Sequence, residues 1–175
     1  MKKAELISQL ENAKNNYILG LAAISLFSSG EAREILSKNV AKFGPYTVNF
    51  DQVAVLLSNP ENQAIAIKEF LLSQLRALIK ESFELLKSYC SESGQTQAMQ
   101  TEPWYQFARL IRNCLSHDFR FVFNERDKAK LPISWRNRTI TNNHQHQHLT
   151  LDFFGYVETW DLFSEFHAFA VERLD

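Results

Sequence analysis

Arg112-Asn113-Cys114-Leu115-Ser116-His117 sets a guanidinium, a carboxamide, a hydroxyl and an imidazole close together on a segment patterned as a helix. Arginine holds a phosphate through a fork of donors, and histidine exchanges protons near neutral pH. Together they are a minimal set for cleaving RNA without a metal. The imidazole takes the proton of the 2′-OH, and the guanidinium balances charge growing on the phosphate oxygens. On a helix turning about 100° per residue, Asn113 and His117 are direct neighbours, as are Arg112 and Ser116. Arg109 falls on the same stripe, while Trp104, Phe107, Ala108, Leu110, Ile111, Cys114 and Leu115 fill the opposite arc. No acid lies on the polar stripe before Asp118. The bland alternative is a solvated helix face, which every surface helix carries.

Several elements must position this stripe. Leu6, Leu10, Ala13, Tyr17, Leu21 and Ile24 recur at helical spacing, which predicts a helix from about Ala4 to Ser28. Short helices are expected near residues 31–39 and from Asp51 to Leu57, with a loop at Gly44-Pro45. Asn59-Pro60 is a helix start, and that helix should run to about Tyr89 with Leu71, Leu75, Leu78, Phe83 and Leu86 inward. Residues 91–101 read as a loop, and Pro103 opens the helix that ends near His117. After alternating phenylalanines at 119, 121 and 123, residues 136–141 and 144–149 read as two strands turning at Asn142-Asn143. A last helix is expected from Asp152 to Arg173, with Phe153, Tyr156, Trp160, Phe163 and Ala170 on one side. The expected class is all-α: a four-helix up-and-down bundle with extra short helices and a small β-hairpin insertion at about 133–150. Residues 1–175 are expected to form a single domain.

Composition agrees with a packed domain. Hydrophobic residues make up 45% of the 175, with fourteen Phe against five Gly and four Pro, which argues against disorder and turn-rich β folds. Apolar runs are too short for a transmembrane helix, and the N-terminus reads as an amphipathic helix rather than a signal peptide. With only Cys90 and Cys114, no disulfide framework is expected, and a reducing cytoplasm is the default location. The net charge of −1 conceals a polarity along the chain. Residues 101–150 carry eight basic and four acidic side chains, net +4; residues 151–175 carry one and six, net −5. Either the basic segment faces phosphate or the two segments pair with each other.

Other residues also have types suited to chemistry. His144, His146 and His148 would share one face of a strand and could ligate Zn²⁺ or Ni²⁺, although no cysteine and no carboxylate closer than Asp152 supports them. A solvated turn is the favoured alternative. His167 lies among Phe163, Phe166 and Ala170 and reads as a packed histidine. No phosphate-binding loop, dinucleotide fingerprint or nucleophile elbow is present.

The segment Arg112 to His117 resembles the signature of the HEPN superfamily: an arginine, four to six residues, then a histidine, often with a polar residue directly after the arginine. Asn113 fills that polar slot. The late bundle helix, the four-helix plan, the length and the stretch Leu131-Pro132-Ile133-Ser134-Trp135-Arg136 are similar to uncharacterised bacterial members. The resemblance implies a metal-independent endoribonuclease without cofactor, acting at a composite site between two protomers. It implies His117 as acid–base, Arg112 on the scissile phosphate and Asn113 positioning one or the other. Arg109, Ser116, Arg120, Arg136 and Arg138 are the expected RNA contacts. RNA, a second copy, and an antitoxin or nucleotidyltransferase of a toxin–antitoxin or defence system are the expected partners. Two alternatives stay open: a non-catalytic member that binds RNA, a nucleotide or a protein, and a metal-binding helical protein using the three histidines.

Overall fold

Trp104, Phe107, Ala108, Leu110, Ile111, Cys114 and Leu115 form the apolar arc read from the sequence, and all are buried. In the computed structural model, which describes residues 1–27 and 29–175, they belong to the helix Tyr105–Ser116 and its N-cap, Trp104. Ser28, the expected end of the first helix, lies outside the described residues.

The protein is mostly helical. The order is α1 (Lys3–Phe27), α2 (Gly30–Ser37), β1 (Val40–Phe43), β2 (Tyr46–Asn49), α3 (Asp51–Ser58), α4 (Pro60–Glu92), α5 (Thr96–Gln100), α6 (Tyr105–Ser116), α7 (Glu125–Lys128), β3 (Ile133–Trp135), β4 (Arg138–Ile140) and α8 (Tyr156–Glu172). Four long helices stand close to where hydrophobic periodicity put them. Asn59 caps α4 as expected, its side-chain oxygen accepting from the backbone N–H of Glu61 and Asn62.

The chain divides into two compact units, Met1–Lys14 with Leu75–Asp175, and Asn15–Gln74. In the first, Leu6 and Leu10 of α1, Leu78, Ile79, Phe83 and Leu86 of α4, and Leu162, Phe163, Phe166 and Phe169 of α8 are buried with the apolar face of α6. The Trp104 ring meets Phe166 edge-on at 4.8 Å, and Phe107 stacks on Trp135 of β3 at 5.1 Å. In the second unit, the buried hydrophobic side chains among the described residues are Tyr17, Leu57 and Leu71, whereas Ile35, Phe43, Tyr46 and Val55 are exposed.

Three expectations are corrected. The hairpin in the first unit is β3–β4, paired Ile133↔Ile140, Ser134↔Thr139 and Trp135↔Arg138, so it turns at Arg136-Asn137 and not at Asn142-Asn143. Ile133, Trp135 and Ile140 are buried, which fixes that register, and Arg136 takes the left-handed φ of 50° that the turn requires. A second hairpin, β1–β2, forms across Gly44-Pro45, where only a loop was expected; Gly44 has φ 57°. The last helix starts at Tyr156, not Asp152. Gly155 is its N-cap, its N–H donating to Glu158 at 3.0 Å, and a Cβ there would strike the Leu151 carbonyl oxygen. Its inward side is Thr159, Leu162, Phe163, Phe166, Phe169 and Ala170, while Tyr156 and Trp160 are exposed. Smaller differences fall around α6: α5 occupies part of the expected 91–101 loop, and α6 begins two residues after Pro103.

The segments of opposite charge pair. On the β3–β4 hairpin, Arg138 Nε donates to Glu158 Oε1 at 3.0 Å, and Arg136 bonds Asp161 and Glu165 of α8. Burial pushes the Glu158 carboxyl up, but the bonds from Arg138 and the Gly155 N–H outweigh it, so it titrates below its ordinary value. A carboxyl with a depressed folded pKa stabilises above its unfolded pKa of about 4.3 and loses that contribution as pH falls through the folded value. Glu158→Gln should therefore be less stable than wild type at pH 7. The gap should close on acidification towards about pH 3, read as the difference in urea midpoints across that range.

Candidate active site at the end of helix α6

The polar stripe of α6 ends in a tight turn. His117 is the C-cap, its backbone N–H shared between the carbonyls of Asn113 (3.1 Å) and Cys114 (3.0 Å), and its side chain is exposed. Asp118 and Phe119 follow with φ of 53° and 57°, two consecutive left-handed non-glycine residues. Arg76 of α4 holds them: its guanidinium lies 4.3 Å over the Phe119 ring and 3.9 Å from the Asp118 carboxylate. The Phe119 carbonyl accepts from Leu149 N–H at 2.7 Å. The imidazole is thus presented on a strained but clamped backbone.

The stripe itself carries no acid, but both of its arginines have acidic partners from other elements. Arg109 Nη2 bonds Asp127 Oδ1 at 2.6 Å, and Asp127 is 2% exposed. Asp127 also closes the capping box of α7, accepting from Asn124 N–H at 3.2 Å. Arg109 is therefore structural. Arg112 pairs with Glu84 of α4 through Nη2 and donates from Nη1 to Asn113 Oδ1 at 2.9 Å. Its Nε is buried with no hydrogen-bond partner among the described residues. Asn113 thus orients Arg112, and Ser116 Oγ donates to the Arg112 carbonyl at 3.0 Å.

The remaining expected contacts are dispersed. Arg120 is exposed and donates to the His146 carbonyl at 3.2 Å. Arg136 and Arg138 are held on α8 by the ion pairs above. Cys114 is 1% exposed, and burial pushes its thiol up to about 12, against which a backbone bond at Leu149 pulls only weakly; a thiolate nucleophile is excluded there. Cys90 is likewise pushed up by burial, to about 11.

The three histidines do not line one strand face. Thr141 N–H donates to His144 Nδ1 at 3.1 Å, and that ring packs against Phe153 (5.1 Å) and Phe121 (5.5 Å). His146 has φ 63°, and His148 joins only an isolated bridge to Arg120. Backbone bonds from His146 N to Phe121 O and from Phe121 N to Gln147 O break the alternation a strand would need. Among the described residues, no three His, Cys, Asp or Glu side chains are grouped to hold a metal ion. His167 lies 2.9 Å from Glu11 Oε1, outside hydrogen-bond alignment, and is half-buried against Phe163. No helix among the described residues is long and apolar enough to cross a membrane.

Glu84, Arg76 and Asp127 are the residues of this site that sequence reasoning missed. Two come from α4 and one from α7, so no spacing within α6 signals them. No family model, no curated protein and no solved structure matches this chain.

Two outcomes follow. Asp127→Ala, which strands Arg109 and opens the α7 cap, should destabilise the fold by about 3–5 kcal/mol by urea denaturation. Untagged protein should carry far less than one equivalent of zinc or nickel by elemental analysis, with no change on His146→Ala.

Proposed function

We propose that the chain is a HEPN-like, metal-independent endoribonuclease, with α1, α4, α6 and α8 as the four-helix bundle of that family. The observation that carries this is that α6 carries Arg112, whose buried Nε–H has no partner among the described residues, and ends on an exposed His117. His117 removes the 2′-OH proton, and an imidazolium, the one so formed or that of the second copy, gives a proton to the leaving 5′-oxygen. Arg112 meets the scissile phosphate, oriented by Asn113. The 2′-OH is the internal nucleophile, so DNA is not cut. Two copies of the stripe face each other in a homodimer, with an antitoxin or nucleotidyltransferase as the regulating partner in a toxin–antitoxin or defence setting.

A second reading is a non-catalytic HEPN-like module that binds RNA, a nucleotide or a protein. The capture of Arg112 by Glu84 favours it, because a phosphate meets an already compensated guanidinium. The two part on one experiment. Single-stranded RNA incubated with the protein in EDTA should yield 2′,3′-cyclic phosphate ends. His117→Ala should slow cleavage by about 10²–10⁴-fold with an unchanged circular dichroism spectrum, and Arg112→Ala by about 10²–10³-fold. RNA bound but never cut would decide for the binding module. A monomer by light scattering at micromolar concentration would reject the composite site.

A further inference from the structure

We propose that Glu84 is an internal competitor for Arg112, and that it makes the site selective for phosphates delivered on a chain over free phosphate. This rests on the assignment of Arg112 as the phosphate-binding group. The two stripe arginines differ in how firmly they are held. The partner of Arg109 has a side chain 3% exposed and is locked in a capping box. The partner of Arg112 has a side chain 38% exposed and comes from another helix, α4. Glu84 Oε1 accepts no aligned hydrogen bond among the described residues, and Arg112 Nε has no acceptor. Arg112 is thus a guanidinium with one edge on Asn113, one on a replaceable carboxylate and one donor unused.

A tethered carboxylate acts at an effective concentration of about the millimolar range or above. Free inorganic phosphate at similar concentration competes poorly against it. A nucleic-acid strand gains from further contacts, so its scissile phosphate arrives at a comparably high effective concentration and displaces the carboxylate. Exposed cations close to the turn in sequence, Arg120 and Arg126, are free to hold such a strand; of these, Arg120 has only its bond to a backbone carbonyl. The Nε–H is buried in this arrangement, so a phosphodiester meets Arg112 through the Nη donor that Glu84 vacates.

The test is arginine labelling by phenylglyoxal, read by mass spectrometry, on wild type, Glu84→Gln and Glu84→Ala. Thermal melts establish that each is folded. Arg112 should be labelled roughly 1.5- to fivefold faster in both variants, the range of a partly exposed ion pair. Arg109 should stay slow in all three. Inorganic phosphate should protect Arg112 in Glu84→Gln at lower concentration than in wild type, and single-stranded RNA should protect wild type well below the phosphate concentration needed. Unchanged Arg112 labelling in folded variants, with RNA still bound by wild type, would overturn the competitor and leave the ribonuclease assignment standing. Faster labelling with no RNA bound by any of the three would overturn the RNA assignment and the chain selectivity together.

Discussion

Burial of one face of α6 governs the first unit. Phe107, Ala108, Leu110, Ile111, Cys114 and Leu115 cannot be solvated, so α4, α8 and the β3–β4 hairpin are drawn onto them. At roughly 1.5–3 kcal/mol for each large apolar side chain buried, this face outweighs any single polar contact around it. The Trp104–Phe166 and Phe107–Trp135 contacts fix the rotation of α6 about its axis. With the rotation fixed, the polar stripe has no choice of direction. The polar face is what remains after the core has taken its side.

Charge then sorts the cations that the sequence offers. A basic segment next to an acidic one could have met a polyanion, yet Arg136 and Arg138 are taken up by α8. Arg109 is taken up by a buried aspartate. Arg112 alone on the stripe has a partner whose side chain is partly exposed, although the oxygen it meets is itself buried. The number of basic residues therefore overstates the phosphate-binding capacity of this surface.

Much of the fold was legible because periodicity reports burial directly: Leu75, Leu78, Phe83 and Leu86 repeat at helical spacing and are all inside. The all-α class and the Asn59-Pro60 helix start were legible for similar local reasons. Strand pairing was not, since a three-residue strand carries almost no periodic signal. The Trp135-Arg136-Asn137-Arg138 turn is set by burial of Ile133 and Ile140, which only the tertiary fold reveals. The alternation of His144, His146 and His148 misled because a left-handed residue at His146 ends any strand there. On the site, residue types and the stripe could be read, but Glu84 and Asp127 come from distant segments and no local spacing announces them.

The turn at Asp118 and Phe119 has a consequence for how this protein tolerates change. Left-handed backbone at two non-glycine residues withholds stability, on the order of 1 kcal/mol or more at each. Glycine at Asp118 would return some of it, and selection for thermal robustness alone would find that substitution readily. The same glycine would free the chain immediately after His117 and loosen the Phe119 ring stacked under Arg76. A variant library ranked by melting temperature would thus enrich for molecules that are sturdier and worse at holding an imidazole still.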